Sequence, residues 1–147
     1  MSIHRPLRAL AVIGCSAALL AGVPAVAGAN PGTLVHLEGG NEVPPRETDA
    51  TGHFTYQLKG SRFCYTLEVA HLTTEGVGAH VHSAVAGVNG PIVIHLAIEP
   101  TATDFTTSDC IDVDKDLVKA IRRYPELYYV NVHTTTWPGG EVRAQLG

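Results

Sequence analysis

Two histidines separated by a single residue, His80 and His82, are the strongest candidates for chemistry in this chain. Residues two apart on a β-strand lie on the same face, so both imidazoles are predicted to project together while Val81 points the other way. Imidazole nitrogen is a good ligand for copper and zinc. A third histidine, His133, shares a predicted strand face with Asn131. If it converges with the pair, three nitrogens and an open position result, which is typical of a catalytic zinc or a redox copper site.

The same histidines also admit a purely structural interpretation. The rings of His80 and His82 would then hydrogen-bond a glycine-rich loop, and His133 would join a polar network. The sequence leaves both interpretations open, because convergence depends on the order of the strands. Four further histidines are expected to be ordinary surface or rim residues: His36, His53, His71 and His95. Of these, His36 and His95 are the best candidates for an additional ligand because both fall in predicted strands.

A second set of polar residues predicts a structural network: Glu42, Asn131, Glu141 and Arg143. Glu42 lies in a proline-flanked loop, whereas Glu141 and Arg143 lie two apart on the last predicted strand. A buried carboxylate–arginine pair would hold the loop to this strand through charge-assisted hydrogen bonds. A catalytic acid–base pair is disfavoured because arginine stays protonated at neutral pH. We therefore assign these residues a structural role and assign no catalytic residue.

Motifs for other chemistries are missing from the sequence. No serine lies in a G-x-S-x-G context, and the Gly87–Gly90 segment lacks the helix and lysine of a phosphate-binding loop. The aspartates between positions 109 and 116 fit a helix cap better than a calcium loop, because no glycine or terminal glutamate follows at the required spacing. The sequence therefore favours binding over catalysis.

Composition restricts the class of protein further. The chain has 147 residues, enough for one domain, and only 16% of them are charged. With 15 glycines and 9 prolines it cannot form a coiled coil or a long helical bundle. The net charge is −4 and no basic run is present, so nucleic acid is excluded as a partner.

The first 27 residues resemble a secretory signal peptide. Arg5 and Arg8 precede an apolar stretch that ends in Ala25–Ala27, a small-residue cleavage site. We expect a mature domain over residues 28–147, secreted or periplasmic and without a membrane span. Acylation at Cys15, which ends a lipobox-like Val-Ile-Gly-Cys, is a less favoured alternative because apolar residues follow it. A transmembrane anchor is disfavoured by the short apolar run.

Cleavage would remove Cys15 and leave Cys64 and Cys110 as an even pair. An even pair in an oxidising compartment predicts one structural disulfide. A reactive thiol pair is disfavoured because neither a C-x-x-C spacing nor a neighbouring cation is present.

Short apolar runs separated by Gly, Pro and Asn predict strands throughout the mature chain. One segment, 112–123, is a convincing helix, with acids in its first turn, basic residues in its last turn and Pro125 after it. About seven strands and one short crossover helix predict an all-β fold, an antiparallel Ig-like β-sandwich. The seven predicted strands are Thr33–Leu37, Gly52–Leu58, Arg62–Val69, Gly76–Ser83, Ile92–Ile98, Leu127–Thr134 and Glu141–Leu146.

Three ordered blocks in this sequence resemble those of one family. They are LEGGNEVPP at 37–45, HVH at 80–82 with GVNGPIV at 87–93, and YYVNVHT at 128–134 with PGGEVRAQL at 138–146. The pattern resembles the CHRD domain, named from the repeats of chordin and found alone in secreted bacterial proteins. The resemblance implies a secreted, all-β, Ig-like module but no particular reaction. The departures are Ala144 in place of the usual Gly, and Ser83-Ala84 in place of small glycines.

These observations lead to three functional hypotheses. The first is a secreted CHRD-type domain that binds copper or zinc through His80, His82 and His133. The second is a non-enzymatic module that binds another protein at the cell surface and uses its histidines structurally. The third and least favoured is a superoxide-handling copper enzyme, because no carboxylate base is evident beside the histidines. The sequence determines neither the ligand nor the oligomeric state.

Overall fold

In the computed structural model, Met1 and residues 32–147 are described, and this part of the chain contains eight β-strands and one α-helix. All strand pairs are antiparallel. Two 3-10 turns, Gly39–Asn41 and Pro125–Leu127, complete the regular structure. The elements are β1 Thr33–Glu38, β2 Thr51–Lys59, β3 Arg62–Ala70, β4 Gly76–Ser83, β5 Ile92–Leu96, β6 Phe105–Asp112, α1 Lys115–Arg123, β7 Tyr128–Thr134 and β8 Val142–Gln145.

The strands form a sheet in the order β5-β4-β7-β8-β1-β2-β3-β6. One half, β5-β4-β7-β8, packs on the other half, β1-β2-β3-β6. The fold is therefore sandwich-like, as predicted. The Tyr56 hydroxyl on β2 donates to the Leu146 carbonyl after β8 at 3.0 Å. The Ala97 amide after β5 donates to the Tyr65 hydroxyl on β3 at 2.6 Å. The expectation of an all-β fold with one short helix is confirmed.

Alternation along the strands explains where the core lies. On β2 and β3 the alternate residues Phe54, Phe63 and Leu67 are buried, whereas the intervening His53 is exposed. On β7 the inward valines face the same core. Burying one face of each strand while the other carries polar groups is the ordinary pattern of an antiparallel sandwich. The outward face of β4, β7 and β8 is therefore free to carry polar side chains.

Helix α1 connects β6 to β7. Its N-cap is Asp114, whose carboxylate accepts hydrogen bonds from the backbone amides of Asp116 and Leu117 at 2.7 and 3.2 Å. Val118 and Ile121 are the buried residues of its apolar stripe. The predicted crossover helix is thus present, and the acidic segment before it serves as a cap.

Strand β6 is the element that the sequence patterning missed. Its sequence, FTTSDCID, lacks an apolar alternation, and the prediction of about seven strands is corrected to eight in the described part. β6 lies at the edge of the sheet, paired only with β3, so only one of its eight residues is buried and the others can be polar. Cys110 on β6 lies opposite Cys64 on β3, and the two form the predicted disulfide.

The predicted signal peptide, apart from Met1, and the alternative acylation site at Cys15 lie outside the described residues. Within the described residues, no helix is long and apolar enough to cross a membrane.

Candidate metal centre

The pairing of β4 with β7 brings three histidines to one face of the sheet. In this register His80 lies opposite Asn131, and Gly78 lies opposite His133. One ring nitrogen from each of His80, His82 and His133 lies within 4.8 Å of the others. The ring centroids are 4.9 Å apart for His80–His133, 5.7 Å for His80–His82 and 6.1 Å for His82–His133. The convergence that the sequence left to strand order does occur.

Two loops fix the tautomers of the cluster. The Nδ1 atom of His82 lies 2.9 Å from the carbonyl of Gly90, and Nδ1 of His133 lies 3.0 Å from the carbonyl of Pro138. A carbonyl can only accept, so in each neutral ring Nδ1 carries the proton and Nε2 carries the lone pair. Metal-ligating histidines typically donate their second N–H to a carbonyl in this way.

The lone pairs in the cluster are buried and unpartnered. Five buried side-chain polar atoms of the described residues have no hydrogen-bond partner. Four of them adjoin here: Nδ1 of His80, Nε2 of His82, Nε2 of His133 and Oδ1 of Asn131. An unsatisfied buried polar group costs about 1–3 kcal/mol. At His82 and His133 the unpartnered atom is the nitrogen that carries the lone pair, and a cation can satisfy it.

Burial keeps the three imidazoles neutral. It lowers the pKa of His80 to about 4, and the neighbouring His133, His95 and His82 act in the same direction. Burial also lowers the pKa of His82 and of His133. For His82 it outweighs the interactions with the Gly90 carbonyl and the Asn131 side chain, and for His133 it outweighs the hydrogen bond to the Pro138 carbonyl. At pH 7 all three rings are therefore in the neutral form that binds metal ions.

The ring of His82 stacks on the ring of Tyr129. The two rings lie parallel, with centroids 4.6 Å apart and an interplanar angle of 4°. The guanidinium of Arg143 lies over the Tyr129 ring at 3.3 Å. Arg143 also donates to the carbonyl of Val88 at 2.9 Å and to Oδ1 of Asn89 at 3.2 Å. It thereby holds the loop that supplies the Gly90 carbonyl to His82.

The predicted polar residues are all buried, but they divide into separate contacts. Glu42 accepts a hydrogen bond from Nδ2 of Asn131 at 3.4 Å. Among the described residues no ion pair within 4.0 Å joins Glu42 to Arg143. Burial raises the pKa of Glu42, and the hydrogen bond from Asn131 and the charge of Arg143 oppose this rise. Asn41 instead holds the loop that carries Glu42 to β8. Its Nδ2 atom donates to the Arg143 carbonyl at 3.2 Å.

Glu141 belongs to a different network. Its Oε1 atom accepts from Oγ1 of Thr48 at 2.7 Å and from the backbone amide and hydroxyl of Thr73. Its Oε2 atom accepts from Oγ1 of Thr134 at 2.8 Å. Glu141 therefore cross-links three segments and does not bond to His133 or to Asn131.

Of the remaining histidines, His95 adjoins the three-residue cluster, whereas His36, His53 and His71 lie elsewhere. His95, opposite His80 on β5, is exposed, and its ring centroid is 4.9 Å from that of His80. The His95 ring is close enough to His80 to become an additional ligand if the His95 side chain rotates toward the cluster. His36 pairs with His53 on β1 and β2, and His71 contacts Asp104. The sequence did not indicate the Tyr129 stack, since an aromatic residue in a strand is usually part of the core.

The described part of the chain is thus a sandwich of antiparallel strands with a cross-strand disulfide and a histidine cluster on its outer face. The chain matches the CHRD domain family over residues 33–146 and belongs to that family. Comparisons with curated proteins and with solved structures found no match. The resemblance noted in the sequence is thereby confirmed, with its all-β fold.

Proposed function

We propose that this CHRD domain binds one transition-metal ion, copper or zinc, through His80, His82 and His133. The proposal is supported by the convergence of three buried ring nitrogens without hydrogen-bond partners. Three neutral imidazoles form a donor set that leaves a coordination position for water or another ligand. Copper(II) is expected to bind more tightly than zinc, as the usual order of divalent affinities requires.

A purely structural role accounts less well for these atoms. A structural network would present donors to the lone pairs of His82 and His133. The unpartnered atom of the adjacent Asn131 is instead an acceptor, Oδ1. The lone pairs of Nε2 in His82 and His133 are thus left without a donor. A bound cation would satisfy the histidines at once.

Family membership favours a second candidate function, that of a non-enzymatic interaction module with structural histidines. The Cys64–Cys110 disulfide supports an extracytoplasmic location for either function, since disulfides persist in oxidising compartments. The two functions are distinguished by whether replacing the histidines changes the binding of metal.

Metal binding is tested with the full chain, exported to an oxidising compartment and purified without a histidine tag or chelator. Bound metal is measured by mass spectrometry. Copper and zinc titrations are followed by the fluorescence of Trp137, the single tryptophan, which precedes the Pro138 that orients His133. The variants are H80A and H82A. H71N is the matched control, because His71 is exposed, and asparagine tolerates its backbone φ of 61°.

We expect about one tightly bound ion per chain in the wild type and in H71N, with a Kd below micromolar. Loss of one ligand should weaken binding by about 100-fold or more, since each histidine supplies a third of the donor set. Circular dichroism checks that the variants are folded. If the folded wild type takes up neither copper nor zinc tightly, the histidines are structural and the interaction module becomes the leading function.

A further inference from the structure

A second pair of histidines lies on the other half of the sheet. His36 on β1 is directly opposite His53 on β2, and both are exposed on the outer face. Their ring centroids are 4.7 Å apart, with an interplanar angle of 74°. These two residues are 17 positions apart in separate strands, and only the β1–β2 register places them together.

The spacing of this pair suits chelation. Two imidazoles that share a metal at a bond length of about 2.0–2.1 Å have ring centroids on the order of 5 Å apart. The observed 4.7 Å is within that range and is shorter than the 5.7 and 6.1 Å of two pairs in the buried cluster. Within the described residues, the side chains of His36 and His53 make no hydrogen bond and no ion pair. Neither ring is held by such a partner, so side-chain rotation can bring one nitrogen of each ring to a shared ion.

The electrostatic surroundings favour a cation. Glu68 on β3 lies opposite His53, and Glu38 lies two residues from His36 on the same face of β1. Both carboxylates are exposed. The cation nearest in the register is Arg143, opposite Glu38, and it is buried with its guanidinium bound to the 85–89 loop. The exposed charged residues nearest to the histidine pair in the register are thus two carboxylates.

We propose that His36 and His53 form a second metal site, for a divalent cation that prefers imidazole, such as Cu²⁺, Ni²⁺ or Zn²⁺. With two protein nitrogens and water in the other positions, the site binds more weakly than a three-histidine site and exchanges its ion faster. Glu68 contributes negative charge rather than an essential ligand. The site does not depend on the proposed function of His80, His82 and His133, because it shares no residue with them.

The test is a titration of the full chain with NiCl₂ and with CuCl₂, in which isothermal calorimetry measures the heat of binding. Proton NMR of the histidine ring signals locates each ion through paramagnetic broadening by Cu²⁺. The variants are H36A and H53A, which alter exposed side chains and should fold normally. H71N is again the exposed-histidine control, and H82A removes the buried cluster as a chelate.

We expect the wild type to show a second, micromolar binding step with broadening of the His36 and His53 signals. H36A and H53A should each weaken this step by about tenfold or more, because chelation by two rings is lost. E68Q should weaken it less. H82A should leave it unchanged even if the tighter step disappears. The proposal is overturned if H36A and H53A titrate like the wild type and H71N, whether or not the buried cluster binds metal.

Discussion

At the scale of single residues, Glu141 shows how a buried charge is stabilised by neutral hydroxyls. Its side chain is fully buried, and it accepts hydrogen bonds from Thr48, Thr73 and Thr134. Burial alone would raise its pKa, but the hydrogen bonds from Thr73, Thr48 and Thr134 outweigh burial and hold the pKa of Glu141 below its usual value. The carboxylate therefore stays ionised at neutral pH and cross-links the loops beside the histidine cluster.

We expect E141Q to lower the free energy of unfolding at pH 7 by about 2–3 kcal/mol, because charge-assisted hydrogen bonds are lost in a buried site. A carboxyl group whose pKa is lower in the folded state stabilises the protein above its unfolded pKa, near 4.5. That stabilisation disappears as the pH falls through the folded pKa. The difference between wild type and E141Q in urea unfolding should therefore shrink between pH 5 and pH 3.

E47Q is the control for this prediction, since Glu47 is an exposed carboxylate in the same segment as Thr48. It should differ from the wild type by no more than about 0.5 kcal/mol at either pH. An E141Q variant as stable as E47Q at pH 7 would show that the threonine network contributes nothing.

The sequence predicted the candidate ligands better than their chemical state. The H-x-H spacing of His80 and His82 puts both on one face in any strand, so it was readable from two residues. The free nitrogens of His82 and His133 were not readable, because they depend on the Gly90 and Pro138 carbonyls in loops folded over the sheet. The direct contact expected between Glu42 and Arg143 likewise depended on side-chain paths that strand spacing does not determine.

At the scale of elements, the loop between β7 and β8 supports the site by approaching it closely. Gly140 has a φ of 115°, where L side chains are strained. A Cβ atom there would also collide with Oε1 of Glu42 and would lie 2.7 Å from Nδ2 of Asn131. Glycine at this position lets the loop cover the Glu42–Asn131 contact.

We expect G140A to destabilise the fold by about 2 kcal/mol or more, from backbone strain and from displacement of Glu42. Urea unfolding measures the effect. G139A provides a matched control one residue away, because its Cβ would meet only the Arg46 guanidinium, at an ordinary 3.5 Å. G139A should change stability by less than about 0.5 kcal/mol. Equal effects of the two substitutions would contradict the role given to Gly140.

The missed strand β6 illustrates a limit of sequence patterning. A strand is recognisable when one face is apolar, but Phe105–Asp112 alternates little, since this edge strand buries few of its side chains. Its β-structure is imposed by pairing with β3 over eight positions and by the disulfide. Tertiary pairing here determines a conformation that local composition does not.

At the scale of the whole molecule, the disulfide closes the segment that carries strands β4 and β5. Cys64 and Cys110 are 46 residues apart in sequence, and β4 and β5 lie between them. Two of the three candidate ligands, His80 and His82, are on this segment. The cross-link therefore restrains both the edge strand β6 and the chain that must return to pair with β7.

We expect the double variant C64S/C110S to lose about 2–4 kcal/mol of unfolding free energy. The reason is that the unfolded chain gains conformational entropy when the cross-link that closes a loop of this length is removed. Urea unfolding of the oxidised wild type and of the variant measures the loss. S108A is the control: it removes the 2.8 Å Thr66–Ser108 hydroxyl bond between the same two strands and should cost less than about 1 kcal/mol. A double variant as stable as S108A would show that strand pairing alone secures β6.

The sequence by itself determined the local properties of this protein. Alternation specified most strands and the faces they bury, acids specified the helix cap at Asp114, and an even cysteine pair specified the disulfide. Tertiary structure decided everything that needs two distant strands to meet. Strand order brings His133 to His80 and His82, and register brings His36 to His53. The physical reason is that successive side chains of a strand point to opposite faces, which short stretches of sequence reveal. Which strands pair, in contrast, is determined by how the whole core is buried.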